Sequence, residues 1–356
     1  MNIECLNQEH STTRRVTRET PVLCVQPEAK FERMLFLQAN PQRTGEGGLR
    51  TNGYFKAGTC TAAETDTIAR NVVARQNPLI TVITVVFNGA ETLEQTILSV
   101  LRQSSDNVEY LIIDGGSTDG TLDIIRKYEY AIDYWVSEPD GGIYEAWNKA
   151  AGIALGDWCI FLGADDELAS DNVLEEIFLS YAPHFEEYQL IYGKLHIINS
   201  ATGELLEELG QPREELSREY EFFRPKLPKC PEILMHRSLF SGNATFDTTY
   251  RIAGDAKFLL HSLASGARVL YLDLPVAKMR LGGVSSAPKN LLIASRETRR
   301  MCRELGIKIP LSHFAKEWVK LVIKIGLSHI LPERIYFSCV NVFRFLTGRA
   351  PIWNRS

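Results

Sequence analysis

Trp158-Cys-Ile-Phe-Leu-Gly-Ala-Asp165-Asp166-Glu-Leu168 sets the fold class of this 356-residue chain. Four uninterrupted apolar residues, Cys159 to Leu162, run into the small pair Gly163-Ala164 and then into two adjacent carboxylates. A short apolar run of this kind predicts a strand buried on both faces, here ending in an acidic loop. Ligands of open α/β sheets sit beyond the carboxyl ends of the strands. Two carboxylates placed there repel unless a cation lies between them. On these residues alone, capping of a helix starting near Asp171 stands level with cation binding.

Upstream of this stretch, strand and helix patterns alternate in short units. Ile80 to Phe87 is a β-branched run, and Asn88-Gly89 turns into a helix over Glu91 to Arg102 with a stripe of Leu93, Ile97, Val100 and Leu101. Val108 to Ile113 predicts the second strand, closed by Asp114-Gly-Gly-Ser-Thr-Asp-Gly120. Ile132 to Val136 predicts the third, closed by Ser137-Glu-Pro-Asp-Gly-Gly142 and followed by a helix over Ile143 to Leu155. Such alternation implies a mostly parallel sheet flanked by helices, the α/β class. Downstream, a helix is expected over Asn172 to Tyr181, strands over Leu190 to Ile198, Met235 to Phe240 and Arg268 to Leu274, and a helix over Ala256 to Leu263. Leu227 to Pro231 reads as extended chain, Ala277 to Ser286 as a polar loop, and the chain from Pro288 onward as mostly helical.

A net charge of −5 gives no general attraction to nucleic acid, so no nucleic-acid partner is expected. Seven cysteines without a Cys-x-x-Cys pair read as reduced thiols in a cytoplasmic protein. The N-terminus shows no basic-then-apolar signal pattern, and no apolar run reaches the roughly 18 residues of a transmembrane helix. Residues 1–76, rich in Thr, Arg, Gln and Gly, are expected to be a poorly ordered or loosely attached extension, with only Val22 to Val25 and Met34 to Leu37 strand-like. Residues 77–286 would form the catalytic domain and 287–356 a helical C-terminal region.

Five motifs, in order and spacing, resemble glycosyltransferase family 2: Ile83-Thr-Val-Val-Phe-Asn-Gly89, Ile112-Ile-Asp-Gly-Gly-Ser-Thr-Asp-Gly-Thr121, Glu138-Pro-Asp-Gly-Gly-Ile-Tyr144, Leu162-Gly-Ala-Asp-Asp-Glu167 and Ile252-Ala-Gly-Asp255. The resemblance covers roughly residues 79 to 286. It implies a GT-A nucleotide-diphospho-sugar transferase fold and a metal-assisted, inverting transfer of sugar from a nucleotide-diphosphate donor to a glycan or lipid-linked saccharide. Asp166 would hold the divalent metal, Mn²⁺ or Mg²⁺, with Asp165 on ribose or a metal-bound water; hard oxygen ligands suit both ions. Asp255 stands where similar enzymes place the catalytic base, and is equally an N-cap for the helix after it.

Asp114 would contact the base or ribose, against a turn-forming role. Many relatives carry a second acid beside it, where this chain has Gly115, which leaves base identity open. Asp140 is balanced between nucleotide contact and a plain turn, and Asp119 is read as a cap. Asn148 lies where similar sequences have an Asn, with Lys149 beside it read as solvated. His236 is a candidate acceptor-site residue set against a structural role, and Arg280, with Gly282-Gly283 and Ser285, fits a cationic lid or an ordinary surface loop.

Two rivals stay open. A sugar-1-phosphate nucleotidyltransferase would share the sheet and its acids, although Asn88-Gly-Ala-Glu91 has no Lys or Arg for a triphosphate. A protein that binds sugar nucleotides or scaffolds at a membrane without turnover is the other. At the C-terminus, Phe314, Trp318, Leu321, Val322 and Ile325 share a helical face with Lys316, Lys320 and Lys324 elsewhere. That helix suits either peripheral contact with the inner membrane face or packing on the catalytic domain.

Overall fold

The computed structural model describes residues 9–21, 23, 34–56, 78–181, 187–240, 245–281, 290–330, 335 and 342. In chain order, β1 (Val16–Thr17), β2 (Gly45–Gly47) and β3 (Phe55–Lys56) precede β4 (Ile80–Val86), α1 (Leu93–Leu101), β5 (Val108–Asp114), α2 (Thr121–Lys127), β6 (Tyr134–Ser137), α3 (Ile143–Ile153), β7 (Trp158–Gly163) and β8 (Asp166–Leu168). There follow α4 (Val173–Tyr181), β9 (Leu190–Ile198), β10 (Leu205–Leu209), α5 (Arg213–Leu216), β11 (Tyr220–Glu221), β12 (Arg224–Pro225), β13 (Ile233–His236), α6 (Gly254–Ala264), β14 (Val269–Arg280), α7 (Leu291–Glu304) and α8 (Leu311–Ile330).

One sheet runs in the order β2-β6-β5-β4-β7-β13-β9-β14-β8, with β10 on β9. β6, β5, β4 and β7 are parallel, as the alternation of strand and helix predicts. β13 runs antiparallel to both β7 and β9, while β14 is parallel to β9. The sheet is buried on both faces, which is why its central strands read as continuous apolar sequence. On one side Ile80, Val82 and Ile160 pack with Leu93, Ile97 and Val100 of α1. On the other Ile83, Leu111 and Phe161 meet Trp147 of α3 and Phe258 of α6. Cys159, Cys230 and Cys302 are buried and in no disulfide among the described residues, and the other four cysteines lie outside those residues.

Several local expectations need correction. Residues 44–56 are not loosely attached: β2 pairs antiparallel with β6 and forms an edge of the main sheet. Arg50, 2% exposed, is ion-paired with the buried Glu109 of β5 and donates to the carbonyls of Leu35 and Ile153 at 2.9 Å. Lys56 is likewise buried, 3.8 Å from Asp133. Charges buried through partners far along the chain leave no hydrophobic period to read, so composition alone misplaced this segment. Met34 to Leu37 forms no strand, and Val22, Cys24 and Val25 lie outside the described residues. The strand expected over Met235 to Phe240 stops at His236 and gives way to a 3-10 turn over Arg237–Phe240. The extended chain expected over Leu227 to Pro231 gives way at Cys230 to a 3-10 turn over Cys230–Glu232. Conversely, β14 runs on to Arg280 where a loop was expected, because Ala277, Lys278 and Met279 pair with both β9 and β8.

Candidate active site

The parallel strands end together. Val86 is registered with Asp114, Asp114 with Ser137, and Val85 with Gly163. The acidic motifs therefore share one sheet edge, the place where α/β sheets bind ligands.

Asp114 is at that edge but not open to it. Its carboxylate is fully buried and accepts hydrogen bonds from the Ser117 N–H at 3.0 Å, the Ser117 hydroxyl and the Ser137 hydroxyl at 2.6 Å. It fixes the 114–117 turn and ties β5 to β6, so the expectation of a direct nucleotide contact is corrected to a supporting one. Asp119, read as a cap, stands one residue before Gly120, the N-cap of α2, which carries no side-chain cap bond; its carboxylate instead shapes the loop by accepting from the Thr121 and Ala90 N–H groups, each at 3.1 Å.

Beside this turn lies a pair that local sequence did not join. A Cβ placed on Gly115 would meet Asp140 Oδ2 at 3.0 Å and Phe87 Cδ2 at 3.4 Å. The space for a second acid is thus bordered by the carboxylate of Asp140 and by a phenyl ring that is 66% exposed. Burial pushes the Asp140 carboxyl above its ordinary range. Phe87 went unnoticed although its signal is simple: an aromatic residue at the mouth of the site, immediately after a buried strand. Lys149 is not solvated but bonded to Glu138 at 3.0 Å and Glu145 at 3.1 Å. Asn148 exchanges two hydrogen bonds with the Phe246 backbone, holding the 245–250 segment on α3.

Asp165 and Asp166 converge above Gly163. A Cβ there would stand 2.7 Å from Asp166 Oδ2 and 3.0 Å from Asp165 Oδ1, so glycine leaves the room in which both oxygens sit. Thr96 of α1 pins the turn by donating to the carbonyls of Ala164 at 3.0 Å and Asp166 at 2.7 Å. Asp166 is buried; among the described residues Oδ2 accepts only a 3.2 Å bond from the Gly163 N–H, and Oδ1 has no partner. Burial, and then the charge of Asp165, hold the Asp166 carboxyl well above its ordinary range, and burial raises Asp165 as well. An orphaned buried carboxylate oxygen beside a second carboxylate is a fit for a hard divalent cation. Among the described residues no group of three or more His, Cys, Asp or Glu forms a closed cage. An open site of this kind suits a metal whose remaining ligands are phosphate and water oxygens.

Arg280 belongs to this cluster but not as a lid. It ends β14 next to Met279, the partner of Asp166, and is ion-paired with Glu167 while its Nε stays buried without a partner. A strand residue held in this way is a fixed cation beside the acids. The flexible-loop reading fails for it; Gly282, Gly283 and Ser285 lie outside the described residues.

Asp255 opens α6 and accepts a 3.2 Å hydrogen bond from the Tyr144 hydroxyl of α3. Gly254 makes this possible, since a Cβ there would strike the Tyr144 ring at 2.7 Å. Burial, then the charge of Asp255, raise the Tyr144 phenol well above its usual pKa, so the hydroxyl remains a donor. From α7, Glu297 accepts the N–H groups of Arg251, Ile252 and Ala253 at 2.8, 2.9 and 3.0 Å, clamping the approach to Asp255. Burial first, then the charges of Asp255, Glu232 and Asp166, push the Cys230 thiol up. His236 is elsewhere. It is registered with Trp158, at the start of β7, and so lies at the opposite sheet edge, hydrogen-bonded to Ser238 and packed on Trp158. Its acceptor-site role is withdrawn.

A sheet that gathers carboxylates at the ends of its parallel strands, with an exposed aromatic ring beside them, defines an α/β protein with a candidate ligand site at that edge. Residues 81–233 match the glycosyl transferase family 2 model. A PGL/p-HBAD biosynthesis glycosyltransferase of Mycobacterium bovis is 27% identical over 253 residues, covering 69% of this chain and 93% of that protein. Among solved structures, Staphylococcus aureus TarS 1-349 in complex with UDP-GlcNAc shares the fold with a TM-score of 0.50 at 18% identity, over 74% of this chain and 80% of that one. The mannosyltransferase PcManGT of Pyrobaculum calidifontis, in complex with GDP-Man and Mn2+, does so with 0.50 at 15% identity, over 78% and 82%. The chain carries a family 2 glycosyltransferase domain of GT-A architecture and is a glycosyltransferase.

Proposed function

We propose that the chain transfers a sugar from a nucleotide-diphosphate donor to a hydroxyl of a glycan or lipid-linked saccharide, with inversion. The observation that carries this reading is the pair Asp165 and Asp166 converging over Gly163, one oxygen of Asp166 without a partner among the described residues. Phe87 offers a stacking face for the nucleobase and Asp140 an acceptor for its N–H groups. Asp255, oriented by Tyr144, takes the proton of the acceptor hydroxyl as that oxygen attacks the anomeric carbon. The bond from the anomeric carbon to the diphosphate oxygen breaks on the opposite face, so the configuration inverts. The electron pair leaves with the diphosphate, and the fixed cation Arg280 stabilises the charge that develops there. Asp166, with Asp165 beside it, would hold a divalent metal, which when bound would supply further neutralisation of the charge on the leaving diphosphate.

The two solved neighbours were captured with UDP-GlcNAc and with GDP-Man, so uridine and guanosine donors both belong in the first trial. Incubation with a panel of nucleotide sugars, in Mn²⁺ or EDTA, should release nucleoside diphosphate. Release of pyrophosphate from sugar-1-phosphate and nucleoside triphosphate would establish the nucleotidyltransferase instead, and donor binding without release the inactive binder.

A further inference from the structure

α8 has two apolar faces, and only one is covered. Phe314, Trp318, Leu321 and Ile325 pack against Phe223 and Leu291, with the Arg299 guanidinium 5.3 Å over the Trp318 ring. That face explains why the helix docks on the domain. The second face is formed by Leu311, Val319, Val322, Ile323 and Ile330, which are 81%, 59%, 59%, 54% and 78% exposed. At about 100° per residue these five side chains, with Ala315 and Gly326 between them, fill one arc of roughly 120° along a helix about 30 Å long. Lys316, Lys320 and Lys324, spaced by four, form a row beside that arc on the side away from the core.

We propose that α8 lies on an anionic membrane surface, with this arc at the acyl boundary and the lysine row on the lipid headgroups. Three lysines stand against the single Glu317 in this helix, within a chain whose net charge is −5, so the basic character is local to the apolar arc. Lys320 is bonded to Glu317 at 2.6 Å on the side of the row away from the arc, so Lys316 and Lys324 flank it as the row's other charges. No helix among the described residues is long and apolar enough to cross a membrane, so the contact lies in the interface plane. A second copy of this chain is the weaker occupant, because pairing two such arcs would bring lysine rows towards one seam, where like charges repel. A membrane seat extends the transferase reading to lipid-linked acceptors, but its test is independent of turnover.

Full-length protein is sedimented with vesicles of phosphatidylglycerol and phosphatidylcholine, and with vesicles of phosphatidylcholine alone. Binding to the anionic vesicles, weakened by salt, is expected. Replacing the three lysines by Gln should lower partitioning about ten-fold or more, each basic residue near such a surface being worth about five-fold. Val319→Glu/Val322→Glu/Ile323→Glu should abolish it while nucleoside diphosphate release in solution is retained. Should that triple variant misfold, a polarity-sensitive dye on Val322→Cys gives a second reading: a blue shift with anionic vesicles, beyond that of the dye-treated parent chain, is expected. Absence of vesicle binding, binding unaltered by the triple variant, no dye shift, or an arc-dependent dimer without vesicle binding would each overturn the proposal.

Discussion

Replacing Asp166 by Asn should make the metal-free protein more stable while removing its response to metal. Asp166 is buried, with one 3.2 Å hydrogen bond to Oδ2, none to Oδ1, and the carboxylate of Asp165 converging on the same space. Leaving a buried acceptor unsatisfied costs about 1–3 kcal/mol, and more when it is charged. An amide of the same shape removes the charge and can donate toward Asp165. A gain of about 1–3 kcal/mol is therefore expected in EDTA, which in a protein of this size corresponds to roughly 1–4 °C in Tm. Mn²⁺ at 100 times its Kd should stabilise the parent by about 2.7 kcal/mol, since ligand binding to the folded state alone adds RT ln(1 + [L]/Kd). The variant should gain little. Thermal unfolding in EDTA and in Mn²⁺ gives all four values. A variant that is less stable in EDTA, or that gains as much from Mn²⁺ as the parent, would refute the assignment.

Three further outcomes follow from individual contacts. Tyr144→Phe removes the hydroxyl that orients Asp255 and should lower kcat about ten-fold or more with the donor KM unchanged, since misplacing a catalytic group acts on the chemical step; a change confined to donor KM would count against it. Arg50→Leu leaves the Glu109 carboxylate buried with only Thr81 and Leu155 as donors, and urea unfolding should show a loss of about 3–5 kcal/mol, whereas a surface-like loss of under about 1 kcal/mol would mean that residues 44–56 do not lock the sheet. Burial works against ionising Asp247, yet Lys257 and Thr249 hold its carboxyl down at about 2, and Lys257 and Arg300 hold Glu304 at about 2. Both lie below their unfolded values of about 4, so this stability is complete above about pH 4 and is lost as pH falls toward 2. Lys257→Met should flatten that acid limb, and an unchanged stability curve between those pH values would contradict it.

The catalytic sheet was legible because its strands are buried on both faces and its helices carry one apolar stripe each, so β4, α1, β5 and β9 fall within a residue or two of where the pattern puts them. The positions of Asp165, Asp166 and Asp255 were legible because they follow a buried strand or open a helix within recognisable motifs. What failed was decided by distant partners. Arg50 and Lys56 look like surface residues until Glu109 and Asp133 are seen to neutralise them in the interior. Asp114 shares the edge of Asp166, but two serine hydroxyls and a backbone N–H turn its carboxylate inward. His236 is only nineteen positions from Asp255 in the chain, yet the antiparallel course of β13 carries it to the far edge. The link from Tyr144 and Glu297 to Asp255 crosses from α3 and α7 to α6, a distance that no local motif encodes.

The most direct trial of the account is the single-turnover rate of nucleoside diphosphate release, with saturating donor and acceptor and Mn²⁺ present, for the parent and for Asp255→Asn. If Asp255 is the base that activates the acceptor hydroxyl, the variant should still bind donor but turn over about 10²–10⁴-fold more slowly. A variant with the parent's rate would contradict the mechanism at its centre.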